Sequence, residues 1–185
     1  MASADVVMAG FGGQGLLAIG KILAKAAMEE GRNVTWLPSY GPEMRGGTAN
    51  CVVIIDDEPI GSPVLKKTRA ALVMNKQSID KFEPQVAPGG LLVVNTSLIE
   101  AEPTRTDIEI VLVPCTQIAK TAGDDKLVSV VALGALLARR GLVRPVALRA
   151  AIEAIVSKKR PQILQADLAA FEAGFNAAAG VPAGA

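Results

Sequence analysis

Short apolar runs alternate along the chain with longer amphipathic ones, and this alternation predicts most of the fold. Val6-Val7-Met8-Ala9 reads as a buried first strand, followed at once by Gly10-Phe11-Gly12-Gly13-Gln14-Gly15. Leu16 to Ala27 reads as a helix stopped by Gly31, and Asn33 to Leu37 as a second strand. A loop from Pro38 to Thr48 leads to a third strand at Ala49 to Ile55. Asp56-Asp57 is then a turn signal, and Glu58-Pro59-Ile60 reads as a brief edge strand. Ala70 to Met74 predicts a fourth core strand, and Ser78 to Gln85 a helix. Pro88-Gly89-Gly90 punctuates the entry to a strand at Leu91 to Asn95. Ile108 to Val113, closed by Pro114, is the last core strand.

From Thr116 onward the periodicity is helical. Val128 to Arg139 is nearly all apolar and therefore buried, with Gly141 beyond its end as a stop. Pro145 suits the first turn of a helix running to about Lys158, which ends in the solvated patch Lys158-Lys159-Arg160. A last amphipathic helix spans Gln162 to Ala178. Strands alternating with helices predict an α/β fold: a mainly parallel, Rossmann-like sheet with helices on both faces and a helical C-terminal segment. One domain is expected over residues 1–180, with a frayed tail at 181–185.

Composition narrows the chemistry. The chain has 185 residues, half of them apolar but only 3% aromatic, so its core is built from Ala, Val, Leu and Ile. A net charge of +1 with no block of like charge argues against binding nucleic acid or an anionic membrane. No run approaches membrane-spanning length and no secretory leader opens the chain, so a cytoplasmic location is expected. Cys51 and Cys115 each sit at the edge of an apolar run and read as buried thiols. There is no histidine. That excludes a Ser-His-Asp or Cys-His device, and with isolated cysteines it leaves no metal or iron–sulfur ligand set in this chain. Neither a catalytic nor a metal-binding residue is expected. Any redox or acid–base chemistry falls to a cofactor or another subunit.

Strand, glycine turn and helix form the context in which a G-x-G-x-x-G pattern acquires meaning. Gly10, Gly12, Gly13, Gln14 and Gly15 can bring backbone N–H groups close to a ligand, and the following helix contributes unpaired donors and its positive dipole end. A phosphate or pyrophosphate is the natural guest; the alternative is a close strand-to-helix turn that binds nothing. An NAD-type site wants a carboxylate at the end of the second strand, where this chain has Trp36-Leu37-Pro38-Ser39. A phosphate-loop NTPase needs Gly-Lys-Ser/Thr, and here Leu16-Leu17 follows Gly15. Both readings lose ground.

The second unusual segment is Ser39-Tyr40-Gly41-Pro42-Glu43-Met44-Arg45-Gly46-Gly47-Thr48. It lies at the carboxyl end of the second strand, beside the glycine loop, where open α/β sheets place their ligands. Its residues Tyr40, Gly41, Glu43, Arg45, Gly46 and Gly47 are read as a ligand or subunit-contact loop. A rigid cover for the sheet edge is the plainer alternative.

The GFGGQG segment at 10–15, SYGPEMRGGTAN at 39–50, Val130 to Leu136 and Ala170 to Phe175 occur in an order that resembles the gamma subunit of the 2-oxoacid:ferredoxin oxidoreductases. The GPEMRGG wording is closer to the 2-oxoglutarate and 2-oxoisovalerate types. The resemblance implies a subunit that is not catalytic alone. The complex oxidatively decarboxylates a 2-oxoacid, forms acyl-coenzyme A and reduces ferredoxin. Thiamine diphosphate, magnesium and iron–sulfur clusters belong to alpha, beta and delta partners, none of them to this chain. It further implies that the glycine loop meets the pyrophosphate of coenzyme A, held as a bound substrate, with Lys21 near its phosphates. The Tyr40–Thr48 loop would face the alpha subunit, with Arg45 pairing a ligand phosphate or a partner carboxylate. Ser129 departs from the family, where asparagine is common. The low-charge loop and the apolar 128–137 helix together suggest surface covered by partners. Two other readings stay open: a stand-alone Rossmann-type dehydrogenase, and a purely structural subunit.

Overall fold

The apolar runs assemble into one six-stranded sheet, seen in a computed structural model that describes residues 3–40, 47–99, 103–159 and 161–180. Its strands are β1 (Ala4–Phe11), β2 (Asn33–Tyr40), β3 (Thr48–Asp56), β4 (Thr68–Val73), β5 (Val86–Asn95) and β6 (Glu109–Val113). The spatial order is β2-β3-β1-β4-β5-β6. β1, β4, β5 and β6 pair in parallel, while β3 runs antiparallel to both of its neighbours. Only β3 opposes the common direction, so the expected mainly parallel sheet is found.

The β2–β3 hairpin departs in detail from the sequence reading. Only residues 41–47 join the two strands, too few for the crossover that a parallel pair requires. β2 also continues past the expected loop start: Pro38 pairs with Cys51 and Tyr40 with Ala49. A proline is tolerated there because β2 is an edge strand and Pro38 owes no donor on its open side. The segment 58–60 forms no strand and belongs to the coil between β3 and β4. Pro88-Gly89-Gly90 lies inside β5, where the register against β4 shifts and Gly89 takes φ 71°.

Side-chain alternation along β1 defines two cores. Val6 and Met8 face α1 (Leu16–Glu29), α4 (Val128–Arg139), α5 (Pro145–Lys159) and α6 (Leu164–Ala179). Val7 and Ala9 face a smaller core with Ile79 and Phe82 of α2 (Lys76–Phe82), closed by Ile99 and Ile108. A short α3 (Cys115–Thr121) follows β6 and adds Ala119 to the first core. Helices therefore cover both faces, unequally.

The apolar α4 is buried from Ser129 to Leu137 within its own chain, which corrects the expectation that a partner covers it. α6 comes close enough to do this because glycines meet backbone: a Cβ on Gly134 would run into the Phe171 carbonyl, and one on Gly174 into the backbone of Val131. Both cysteines are free and fully buried, as read from the sequence. Burial pushes each thiol up to about 12. No helix among the described residues is long and apolar enough to cross a membrane. Residues 181–185 lie outside the described residues.

Candidate functional site

β1 ends at Phe11 and α1 begins at Leu16, so Gly12–Gly15 must turn the chain. Gly13 and Gly15 do so with φ of 95° and 82°, backbone conformations that side chains with a Cβ disfavour. Gln14 braces the turn: its Oε1 accepts from the Phe11 N–H at 2.6 Å. The Gly12 N–H donates to the Gly47 carbonyl at 2.8 Å, fastening the loop to the end of the β2–β3 hairpin. Gly10 is buried inside β1, where a Cβ would strike Gln14, Met74 and Leu16. The motif thus divides its labour. Gly10 allows packing, Gly12 and Gln14 fasten the loop, and Gly13 and Gly15 make the bend.

What the loop leaves over is donors. Among the described residues no acceptor faces the N–H groups of Gly13, Gly15, Leu16 and Leu17. They gather at the start of a 14-residue helix with no acidic residue in its first turn. The helix dipole and these unpaired groups together favour an anion.

Beside the loop opens a hollow of about 660 Å³, walled by Gly12, Gly13, Leu17, Lys21, Trp36 and Pro38. Lys21 extends along it with Nζ 4.7 Å from the centre of the Trp36 ring, a cation–π contact. The ring can lie this close to α1 because position 20 is glycine; a Cβ there would strike the Cys51 thiol and the Trp36 indole. The lining is largely apolar, with the donors at one end and one cation, Lys21, on the wall.

A second hollow, of about 460 Å³, lies on the other side of Gly13, where β1 and β4 send their chains to opposite faces of the sheet. This is the switch-point crevice of an open α/β sheet. Asn75, only 3% exposed, caps α2 by accepting from the Ser78 N–H at 2.8 Å, while its Nδ2 has no partner among the described residues. Asn95 accepts from the Cys115 and Ser97 N–H groups at 3.1 and 3.2 Å. Ser129 stands against Gly15, where a Cβ would meet its Oγ at 2.5 Å.

Of the residues singled out in the sequence, Gly12, Gly13, Gly15 and Lys21 share the larger hollow, and Gly47 touches its rim through Gly12. Tyr40 closes β2. Gly41, Glu43, Arg45 and Gly46 lie outside the described residues. Sequence reasoning passed over Trp36 and Asn75. The first was taken as a strand residue. The second is an asparagine just past a core strand and before a helix, an N-cap signal that was there to be read. Among the described residues no three cysteine, aspartate or glutamate side chains are grouped to hold a metal.

A central β1, a glycine turn and unpaired donors at the carboxyl end of the sheet define an open α/β domain of the glycine-loop class. Residues 5–177 match the family model described as pyruvate ferredoxin/flavodoxin oxidoreductase, and the chain belongs to that family. It is 31% identical over 177 residues to the 2-oxoglutarate synthase subunit KorC of Methanocaldococcus jannaschii, covering 94% of this chain and 93% of that one. Against the ketoisovalerate oxidoreductase subunit VorA of Methanothermobacter marburgensis it is 38% identical over 133 residues, or 72% of this chain. The match spans only 28% of that relative's length.

Solved structures agree. The gamma subunit of a keto/oxoacid ferredoxin oxidoreductase from Geobacter sulfurreducens superposes with TM-score 0.83 at 29% identity, covering 96% of this chain and 99% of that one. A 2-oxoglutarate:ferredoxin oxidoreductase from Magnetococcus marinus, solved with 2-oxoglutarate, coenzyme A and succinyl-CoA bound, shares the fold. There the TM-score is 0.89 at 22% identity, covering 98% of this chain and 32% of that one. The resemblance to gamma subunits noted in the sequence is borne out.

Proposed function

We propose that this chain is the gamma-type subunit of a 2-oxoacid oxidoreductase complex and that its glycine loop receives the phosphates of coenzyme A. The observation that carries the reading is the set of unpaired N–H groups on Gly13, Gly15, Leu16 and Leu17, opening beside a hollow walled by Lys21. The bound coenzyme A in the Magnetococcus complex supports the choice of ligand. Four convergent backbone donors and a lysine can neutralise and orient a diphosphate, and the apolar wall from Leu17 to Trp36 and Pro38 offers burial to an uncharged arm. The chain positions the thiol-bearing substrate. Decarboxylation and electron transfer belong to alpha, beta and delta partners carrying thiamine diphosphate, magnesium and iron–sulfur clusters, with ferredoxin as acceptor. The hairpin end around Gly47 faces the alpha subunit.

The test is Lys21→Ala in the reconstituted complex. Losing one charge-assisted contact of about 1.5 kcal/mol or more should raise the apparent KM for coenzyme A about tenfold or more and leave the KM for the 2-oxoacid unchanged. A complex that assembles normally with unaltered coenzyme A kinetics overturns this reading in favour of a structural subunit.

A further inference from the structure

We infer that the opposite end of the sheet carries a separate oxyanion-binding site, centred on Arg140 and Arg69. At the amino ends of the parallel strands lies a hollow of about 630 Å³ whose lining includes Asp5, Arg32, Arg69, Gly89, Arg140 and Leu142. Three guanidinium groups line it with a single carboxylate, and Arg140 alone has no carboxylate partner among the described residues.

Asp5 is already committed. Its Oδ1 accepts from the Thr68 hydroxyl at 2.8 Å and from the Arg69 N–H at 2.7 Å. Its Oδ2 lies 3.9 Å from the Arg69 Nε, too far for a hydrogen bond. The Arg69 side chain is 58% exposed at the mouth of the hollow. Arg32 forms a fixed wall, donating to Asp57 at 2.8 Å and to the Leu142 carbonyl at 3.1 Å.

Arg140 is the centre. It leaves the end of α4 and donates through Nη2 to the Gly89 carbonyl at 2.6 Å. Its Nε is buried without an acceptor, and no carboxylate among the described residues pairs with it. Other acids are taken: Asp107, whose backbone carbonyl accepts from Gly89, is gripped by Arg105, and Glu30 by Arg144. A buried guanidinium N–H without an acceptor is costly, and an oxyanion oxygen removes that cost. The geometry of two guanidinium groups at one hollow selects a small dianion, a phosphate or a dicarboxylate, whose adjacent oxygens accept paired N–H groups. This site is independent of the glycine loop, since the two lie at opposite ends of β1.

The experiment is an NMR titration of the full chain with inorganic phosphate and, separately, malonate, against chloride at matched ionic strength. The amide signals of Gly89 and Gly141 should shift saturably below ~10 mM ligand. Arg140→Gln should abolish the response and Arg69→Gln weaken it several-fold, while Lys21→Ala, on the glycine-loop hollow, should leave it intact. If Arg140→Gln fails to fold, the exposed Arg69 decides alone, because its guanidinium is solvated and touches Asp5 only at 3.9 Å. Shifts that follow chloride equally, that never saturate, or that survive Arg69→Gln at full strength overturn the site. Saturation by phosphate but not by malonate assigns it to phosphate-type anions. Failure here leaves the coenzyme A reading untouched, since that rests on Lys21.

Discussion

The backbone N–H of Gly12 donates to the carbonyl of Gly47 at 2.8 Å, joining residues 35 positions apart and fixing the glycine loop to the β2–β3 hairpin. One of the motif's donors is thereby spent on structure, and the donors that remain are its neighbours.

This distinction is measurable by amide exchange in the isolated chain. Gly12 should exchange slowly, while Gly13, Leu16 and Leu17 exchange at nearly the rates of open chain. Adding coenzyme A should slow the latter group only. Equal protection of all these amides without ligand contradicts the geometry described.

Gly13 and Gly15 both need positive φ, yet they differ in what surrounds them. A Cβ on Gly13 meets open space, whereas one on Gly15 meets the Ser129 hydroxyl. Gly13→Ala should cost about 1–2 kcal/mol from backbone strain alone. Gly15→Ala should cost at least about 1 kcal/mol more, and Ser129→Ala should return part of that difference. Urea denaturation of the single and double variants gives the coupling. Additive effects remove the contact from the account.

Gly174→Ala tests the α4–α6 contact. Helix propensity alone favours alanine over glycine by about 1 kcal/mol. Here the new methyl enters the backbone of Val131, which no side-chain rotation can relieve. We expect a net loss of about 2 kcal/mol or more in chemical denaturation. A neutral or stabilising outcome would show that the two helices are less tightly apposed.

The two thiols give a pH dependence of definite sign. Burial raises both Cys51 and Cys115 from 9.0 to about 12, so the folded state binds their protons more tightly than the unfolded chain does. The associated stability is complete below pH 9 and is lost as pH rises toward 12. The urea midpoint should fall across that window, and less steeply in a Cys51→Ala, Cys115→Ala variant. At pH 8 a thiol reagent should label neither cysteine in the native protein and both in denaturant. Rapid native labelling would contradict their burial.

Trp36 is the chain's only tryptophan, and its ring lies under the Lys21 ammonium beside the glycine loop. Its emission is therefore a reporter of that hollow. Coenzyme A should change the emission saturably, and Lys21→Ala should both alter the starting spectrum and weaken the response. An unchanged spectrum at saturating coenzyme A places the ligand elsewhere, for instance in the crevice lined by Gln14 and Met74.

Much of this was legible in the residues, and the gaps have physical causes. Short continuous apolar runs located β1, β4 and β6 closely, and Pro145 marked the start of α5. Strand–helix alternation predicts a mainly parallel sheet but not which strand opposes it; the short 41–47 link, which permits only a hairpin, is what turns β3 round. Pro38 was read as a breaker, and only the sheet order shows that it sits on an edge where no donor is needed. The glycine motif was recognised as a unit. Which of its members pack, fasten, bend or donate depends on Met74, Ser129 and Gly47, and no local pattern reveals those neighbours.

The central position of β1 also bears on how the polypeptide is made. Of the six strands β1 is made first, and both of its edges are filled by later segments, β3 up to Asp56 and β4 up to Val73. Its Val6 and Met8 side await helices from the far end of the chain, where α6 closes over α4 only once residues up to Ala179 are present. Until then α1 gives that side of the Val6–Ala9 run only partial cover. A nascent chain stalled before Val73 carries a hydrophobic strand with one edge still unpaired, the kind of segment that recruits chaperones.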